Sequence, residues 1–410
     1  MSMVNSKSNR PNSRWYVLTL AALTFAFVVG MQQICMSVLF KEISEDLSLS
    51  LVEIGVIWGI PALSGLFIVF IGGLLSDRYG AKRVMGIACL LAGLAGALRG
   101  IAGDFTSLVL FTFFLGMAIW VIPSSVFKTT ATWFSGRQLV IANGVVTAGM
   151  GLGLTVGSLI TATILSPLLG GWENVLFLYG GISVIFGLLW LLTVREMDLP
   201  GSADFKGGVS LRQAISRVFP IKSLWLIGLT LLGYSACNQG VAGYLPTYLR
   251  NIGWTAAGAD GTLAAFNGFS ALGAIPLALL SDRLGLKKTV LFPVLVVTIL
   301  GIALLPVVHN AMVFVIMILV GVSRDGFMAI CLTMSTETKG IGVVYAGTAM
   351  GLTQTVLNVG SLISPPLGNS LADINPGFPF FLWAAFGLLA LVAFIFVKET
   401  GWRRKELPRQ

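Results

Sequence analysis

The sequence predicts an all-α membrane protein of twelve transmembrane helices, arranged as two pseudo-symmetric six-helix bundles. Apolar residues make up 56% of the 410 residues and charged residues only 10%, whereas charged residues account for about a quarter of a soluble domain. The stretch GGLLSDRYGAKRV at 72–84 returns as ALLSDRLGLKKTV at 278–290, which places Asp77 and Asp282 half a chain length apart. A repeat at that spacing indicates one duplicated half rather than a solenoid.

Each predicted helix is a run of mostly apolar residues, of which about 20 span the roughly 30 Å of hydrocarbon in a bilayer. In the first half these runs cover 15–39, 52–75, 83–101, 106–132, 138–166 and 174–194; in the second they cover 223–249, 259–280, 289–307, 311–336, 342–371 and 378–397. A more highly charged stretch separates the two sets. We therefore predict an N-terminal bundle at 1–194, a linker at 195–222 with a short amphipathic helix at 211–218, and a C-terminal bundle at 223–410.

The positions of the basic residues predict the orientation. If the N-terminus is cytoplasmic, only Lys41, Arg99 and Arg250 of the 26 Lys and Arg residues fall on the outer side, while Lys128 and Arg324 fall within helices. The excess of Lys and Arg in cytoplasmic loops therefore places both termini and the linker in the cytoplasm, in a multi-pass protein of the cell inner membrane. The net charge of +9 then reflects topology, and we expect no nucleic-acid partner.

Residue types that catalyse reactions or bind metals are scarce in this chain. There is one histidine, His309, and each of the four cysteines stands alone in an apolar segment without metal-ligand spacing. The cysteines are Cys35, Cys89, Cys237 and Cys331. We therefore predict no enzyme activity, no cofactor and no metal site.

Charged residues within the predicted helices are the strongest candidates for a functional site. Arg324 and Asp325 lie about 20 Å from the outer end of helix 10, near the middle of the bilayer, where an ionised residue costs about 2.5–3.5 kcal/mol. The counter-charge of Arg324 is expected to be Asp325, a group on another helix, or a bound anion, because its neighbours on the same face include no acid. Lys128 lies at the cytoplasmic edge of helix 4, where it can reach water or take part in binding.

The repeated stretch resembles the loop between helices 2 and 3 of the major facilitator superfamily, G-x-L-x-D-R-x-G-R-R. The first copy matches at Gly73, Leu75, Asp77, Arg78, Gly80, Lys82 and Arg83; the second keeps Asp282, Arg283, Gly285, Lys287 and Lys288 but has Ala278 for the first glycine. The resemblance covers the whole chain, because the helix count fits as well. It implies a monomeric secondary transporter in which the two loops control the balance between conformations, with Asp77 facing the start of helix 11 near 342–344.

The same resemblance implies that helices 1, 4, 7 and 10 line a central cavity. Gln32 and Gln33 on helix 1, and Asn238 and Gln239 at the corresponding place on helix 7, would then orient the solute by hydrogen bonds. Amides can also join helices to one another. Arg324 would bind an anionic group and Asp325 would carry the proton.

We therefore predict a proton-coupled symporter for a small organic or inorganic anion, similar to the organic-anion and cyanate or nitrate permease branches. A drug-exporting proton antiporter is the first alternative. However, Ser158 stands where those antiporters have a proline on helix 5, and Thr112 stands where they have an arginine on helix 4. A membrane receptor or scaffold without transport activity is the second alternative, and it would leave Arg324 and Asp325 without a role.

Overall fold

The computed structural model describes residues 11–194 and 211–400. Twelve long helices within these ranges confirm the predicted fold class. The first half contains α1 at 11–46, α2 at Leu51–Tyr79, α3 at Ala81–Leu98, α4 at Phe105–Trp133, α5 at 136–169 and α6 at Trp172–Thr193. The second contains α7 at Lys222–Asn251, α8 at Ala256–Leu284, α9 at Lys287–Leu304, α10 at Ala311–Glu337, α11 at Gly342–Asn369 and α12 at Phe378–Phe396.

The linker is described only in part. Its short helix is present at Leu211–Val218, as predicted. Residues 195–210 lie outside the described residues, as do 1–10 and 401–410. The division of the chain at 195–222 therefore stays a prediction.

Two of the helices contain a π-helical segment. In α1, the π segment Phe25–Met31 joins Pro11–Thr24 to Gln32–Asp46. In α5, the π segment Thr161–Leu165 follows Gly136–Ile160 and precedes a last turn at Ser166–Leu169. Because a π turn forms i→i+5 hydrogen bonds, it rotates the residues beyond it relative to a continuous α-helix. This rotation determines which face of α1 presents Gln32 and which presents Gln33.

The largest difference from the predicted helix ends is at the end of α1. The sequence suggested a stop near 39, before a group of charged residues, whereas the helix continues to Asp46. Glu42 accepts a hydrogen bond from the Ser166 hydroxyl, and Asp46 accepts one of 3.2 Å from Trp172 Nε1. These bonds to α5 and α6 satisfy the carboxylates and allow the helix to extend past the apolar run.

By length and composition, ten of the helices that the structure describes are apolar enough to cross a membrane. The other two long helices, α7 with 30 residues and α11 with 28, are not shorter. They carry polar side chains such as Asn238 and Asn358 that line an internal cavity. Their lower hydropathy therefore marks them as cavity helices.

The repeated glycines Gly80 and Gly285 form the sharp turns after α2 and α8. Their φ angles are 86° and 64°, in the left-handed region that side chains other than glycine adopt at a cost. Each turn ends one helix and allows the next to begin within a few residues. We call the end of the molecule that holds these turns the motif end, and the end that holds Ser50 and Asp104, which cap α2 and α4, the far end.

Helices α2 and α11 join the two halves near the far end. A Cβ atom built on Gly59 would lie 2.6 Å from the carbonyl oxygen of Leu362, and one on Gly55 would lie 2.6 Å from Cα of Pro366. The two backbones are therefore in direct contact, which small residues permit. Toward the motif end, a Cβ atom on Gly347 of α11 would meet no atom within 4 Å.

Helices α1 and α7 also join the halves in their far parts. The Ser37 hydroxyl of α1 donates to the carbonyl of Ala242. Arg250 of α7 donates to the carbonyl of Val38 at 2.9 Å and forms a two-oxygen ion pair with the buried Asp260 of α8, at 2.6 and 2.7 Å. These contacts close the far end between the halves.

Candidate functional site

A cavity of about 240 Å³ lies between the two halves. It is lined by side chains from α1, α2, α4 and α5 of the first half and from α7, α8, α10 and α11 of the second. Its polar lining includes Gln33, Tyr234, Ser235, Asn238, Gln239, Asn267, Arg324, Asp325, Asn358 and Ser361. Arg324 and Asp325, which the sequence analysis selected for their depth in helix 10, therefore line the cavity at the centre of the molecule.

Arg324 is held in a fixed orientation by three neighbours. Its Nη1 donates to Oδ1 of Asn267 on α8 at 2.9 Å, and its Nε donates to Oδ1 of Asp325 at 3.1 Å. The guanidinium carbon lies 4.7 Å from the ring centroid of Phe266, a distance at which a cation is attracted to the ring. No described residue accepts a hydrogen bond from Nη2, which is not fully buried. The guanidinium therefore has a donor available to the cavity.

Asp325 is the more exposed member of the pair. Its side chain is 40% exposed, against 17% for Arg324. Of the alternatives left open for the counter-charge of Arg324, the structure shows both Asp325 and a polar group on another helix. The pair is open on the side of the cavity, so that solute and water can approach either residue.

The four predicted amides separate into two groups. Gln33, Asn238 and Gln239 line the cavity. Asn238 donates to the carbonyl of Tyr234 at 2.8 Å, and its Oδ1 is buried without a partner among the described residues. Gln32 does not line this cavity: its amide nitrogen donates to Ser183 and Tyr179 of α6. The structure therefore brings three of the predicted amides toward Arg324 and turns the fourth into the first half.

A chain of polar contacts connects Arg324 to the boundary between the halves. Asn267, which orients Arg324, donates through Nδ2 to the Ser158 hydroxyl of α5 at 3.3 Å. Ser158 donates to the carbonyl of Leu154 in its own helix at 2.7 Å. The site is thus connected to the α5–α8 contact, where a Cβ atom on Gly151 would lie 2.4 Å from Cβ of Ala271.

The sequence profile of the Major Facilitator Superfamily matches residues 22–356 and 261–410. This chain belongs to that superfamily. Membership in this superfamily indicates a transport protein of the membrane and not an enzyme.

Curated relatives from the superfamily are similar over different lengths. The chain is 27% identical to a hexuronate transporter of Bacillus subtilis over 43% of this chain and 42% of that protein. It is 26% identical to a probable nitrate/nitrite antiporter of Thermus thermophilus over 60% of this chain and 56% of that protein. These two matches cover less than two thirds of the relatives. A probable sulfoacetate transporter of Cupriavidus necator is 24% identical over 95% of this chain and 94% of its own length.

Solved structures support the superfamily fold. A bacterial homologue of the human lysosomal transporter Spinster, in an inward-facing and occupied conformation, superposes with a TM-score of 0.80 over 95% of this chain and 97% of its own, at 16% identity. A mutant of the nucleoside transporter NupG gives a TM-score of 0.78 over 94% of this chain and 100% of its own, also at 16% identity. At this identity the similarity concerns the fold alone.

The loops that carry the superfamily motif lie away from the cavity. The guanidinium of Arg78 lies 5.4 Å from the ring centroid of Tyr79, and Arg83 lines an apolar groove between α2, α3 and α4. The second copy of the motif continues from Asp282 and Arg283 to the start of α9. There the backbone N–H groups of Lys287 and Lys288 each donate a hydrogen bond of 2.9 Å to the carboxylate of Glu399. A carboxylate thus caps the start of α9. The surroundings of Gly73 and the side chain of Asp77 lie outside what the structure describes, so their gating role stays a prediction.

The sequence permits either an interfacial or a binding role for Lys128. Its Nζ donates to the carbonyl of Ser76 on α2 at 2.7 Å. It is absent from the lining of the cavity around Arg324. The structure therefore places Lys128 between α2 and α4, near the motif end.

Sequence reasoning missed two polar residues. Asn267 carries little signal, because a single asparagine in an apolar helix is common and Arg324 is distant in sequence. The sequence places Arg99 on the outer side, at the end of the helix predicted at 83–101, and predicts no contact for it. Its side chain is 1% exposed and reaches Gln32 of α1. The only available signal was that side chains at a helix end lean back toward the N-terminus of the helix.

Proposed function

We propose that this protein carries a small anion across the membrane by alternating access, as a proton-coupled symporter, with Arg324 as the anion-binding residue. The observation that supports this most is the orientation of the guanidinium. Asn267, Asp325 and Phe266 hold it in the cavity between the halves and leave Nη2 without a described partner. A carboxylate, sulfonate or nitrate oxygen can accept that hydrogen bond, and such charge-assisted bonds contribute about 1.5–3 kcal/mol.

Asp325 couples the anion to a proton by competing for the same cation. Oδ1 of Asp325 lies 3.1 Å from Nε of Arg324, so an ionised Asp325 compensates the charge of Arg324. Protonation removes this counter-charge, and the field of Arg324 then acts on the solute. Proton and anion therefore bind with positive coupling, which is the condition for symport.

The comparisons support an anionic solute. The solutes in the names of these relatives are hexuronate, nitrate or nitrite, and sulfoacetate, all of which are anions. A drug exporter is therefore less well supported.

Uptake into proteoliposomes tests the proposal. The panel contains acetate, sulfoacetate, hexuronate and nitrate, with an inwardly directed proton gradient. Arg324→Gln is expected to abolish binding and uptake. Asp325→Asn is expected to bind the anion tightly at every pH and to exchange labelled for unlabelled solute, but to lose accumulation driven by the gradient.

The double variant Arg324→Gln with Asp325→Asn separates this role from a structural ion pair. If the two residues only hold the helix in place, removing both avoids an unpaired buried charge and restores pH-driven uptake. Restored uptake would contradict both assigned roles. A well-folded wild type that moves none of the anions would favour a receptor or scaffold.

Anion exchange without protons is a second candidate. One of the relatives is named a probable nitrate/nitrite antiporter. An exchanger would show counterflow of anions that is unaffected by the proton gradient, and Asp325→Asn would leave its direction and extent of accumulation unchanged.

A further inference from the structure

A second pocket, of about 100 Å³, extends from the central cavity into the first half. The two share lining residues from both halves, namely Gln33, Trp58, Pro61, Trp120, Met150 and Gln239. The smaller pocket is lined more deeply by Gln32 of α1, Arg99 after α3, and Thr112 of α4. A solute in the central cavity therefore has this pocket as its immediate neighbour.

Arg99 is a buried cation without an acidic partner among the described residues. Its Nη2 donates to Oε1 of Gln32 at 3.4 Å and lies 3.9 Å from Sγ of Cys35. Its Nε is buried and has no hydrogen bond to any described residue. These two weak contacts do not compensate the cost of burying the charge of a guanidinium in a residue that is 1% exposed. Buried charges in membrane proteins usually pair or bind a ligand.

Thr112 provides an independent observation in the same pocket. Its side chain is 2% exposed, and its hydroxyl has no hydrogen-bond partner in the part of the chain that the structure describes. Threonine hydroxyls in helices commonly donate to the carbonyl one turn earlier, as Thr129 does at 2.8 Å. The Thr112 hydroxyl is thus available to donate to a ligand beside Arg99.

We propose that Arg99 and Thr112 form a second anion-binding site, in which Gln32 orients Arg99. This site holds a second anionic group next to the one at Arg324. This inference rests on the proposed function, because it gives the solute of that cavity a second charge or a companion anion. The group is a carboxylate, a sulfonate or a small inorganic anion, since each accepts hydrogen bonds from a guanidinium and a hydroxyl. The shared walls of the two pockets permit both sources.

Binding to the purified full-length protein in nanodiscs tests the site. The probes are acetate and propionate as monoanions, malonate, succinate and sulfoacetate as dianions, and nitrate or chloride as added salts. Arg99→Gln is expected to weaken the binding of the preferred dianion at least tenfold more than that of the monoanions. Arg99→Lys, which keeps the charge, should recover part of the loss. Lys41→Gln, which removes a cation from the far part of α1, is the matched control and should change neither.

The two sources give different results. If both groups belong to one solute, the wild type prefers dianions and added nitrate competes with them. If the second group is a separate anion, added nitrate or chloride strengthens binding of the monoanions in the wild type but not in Arg99→Gln. The second site would be overturned if Arg99→Gln lost equal binding affinity for monoanions and dianions and if added salt had no effect on binding in the wild type.

Failure of this proposal is distinguishable from failure of the proposed function. Arg324→Gln tests the central site, and unchanged binding there would contradict the transport mechanism whatever Arg99 does. Should Arg99→Gln not fold, Thr112→Val keeps the shape of the side chain and removes only the hydroxyl. This variant should weaken the binding of dianions, or the effect of added salt on binding, at least threefold, while its unfolding temperature stays that of the wild type. Unchanged binding would count against the site.

Discussion

Asn267 determines how Arg324 presents its guanidinium to the cavity. It accepts from Nη1 of Arg324 and donates to Ser158, and it is almost fully buried. A hydrogen bond to a charged group contributes about 1.5–3 kcal/mol to stability, and water in the cavity can replace part of it. The amide therefore acts by positioning the anion-binding group.

We predict that Asn267→Ala weakens anion affinity by about tenfold, equivalent to about 1.4 kcal/mol, because the guanidinium loses one of its anchors. The measurement is the KM for uptake together with equilibrium binding of the same anion. Thr262→Val on the same helix is the matched control, since its hydroxyl donates to Gly258 of its own backbone. Equal effects of the two variants would contradict the positioning role.

Individual residues were predictable where depth in the membrane was the signal. Arg324 and Asp325 are the charged neighbours nearest the middle of a predicted helix, and the structure places both in the cavity. Asn267 and Arg99 were not predictable, because their importance depends on neighbours from other helices. Gln32 and Gln33 were treated as equivalent, although adjacent residues of a helix point about 100° apart and the two face different surroundings.

Pairs of helices that join the two halves control which end of the cavity is closed. Gly59 of α2 lies against the backbone of α11, and any side chain there must push the helices apart. The Arg250–Asp260 pair fixes α7 to α8 and reaches α1 of the other half. Both features stabilise closure of the far end, and neither contacts the solute site.

We predict that Gly59→Val opens the far end, because the added side chain overlaps the carbonyl of Leu362. A cysteine introduced at Gln33 in the cavity should then react at least tenfold faster with an impermeant thiol reagent supplied from the far side. Gly103→Ala is the control, since an added Cβ there meets nothing within 4 Å. Slower or unchanged labelling would contradict the assignment of α2 and α11 as the closing contact.

We predict that Asp260→Asn costs about 3–5 kcal/mol of stability, because it leaves the buried Arg250 without its counter-charge. Thermal unfolding in detergent measures the effect. Replacing both partners, by Arg250→Met with Asp260→Leu, should recover most of the stability. Because the double variant still lacks the bond from Arg250 to Val38, closure of the far end should stay weaker than in the wild type.

At the scale of the whole molecule, the order and number of helices followed from apolar runs and the half-length repeat. These signals are strong because a bilayer imposes one length on each crossing. What the sequence could not provide is the packing of one half against the other, which depends on glycines such as Gly55 and Gly151 meeting particular atoms of the other half. The periodicity of apolar residues in a helix does not specify these contacts between the two halves.

The orientation in the membrane stays a prediction. We expect both termini and the linker in the cytoplasm, because Lys and Arg gather at the motif end. A reporter that is active only in the cytoplasm, fused after Gln410, should be active, and one that requires export should be inactive. The reverse result would invert the molecule, and the closed far end would then face the cytoplasm.

The π segment of α1 has a consequence for comparing this chain with its relatives. A π turn contains one residue more per hydrogen-bonded turn than an α turn, so one residue can be lost from Phe25–Met31 without moving either end of the helix. A relative that lacks this residue would align with Gln32 and Gln33 only if a one-residue gap is placed within 25–31. An ungapped alignment would pair the cavity-lining Gln33 with the wrong neighbour.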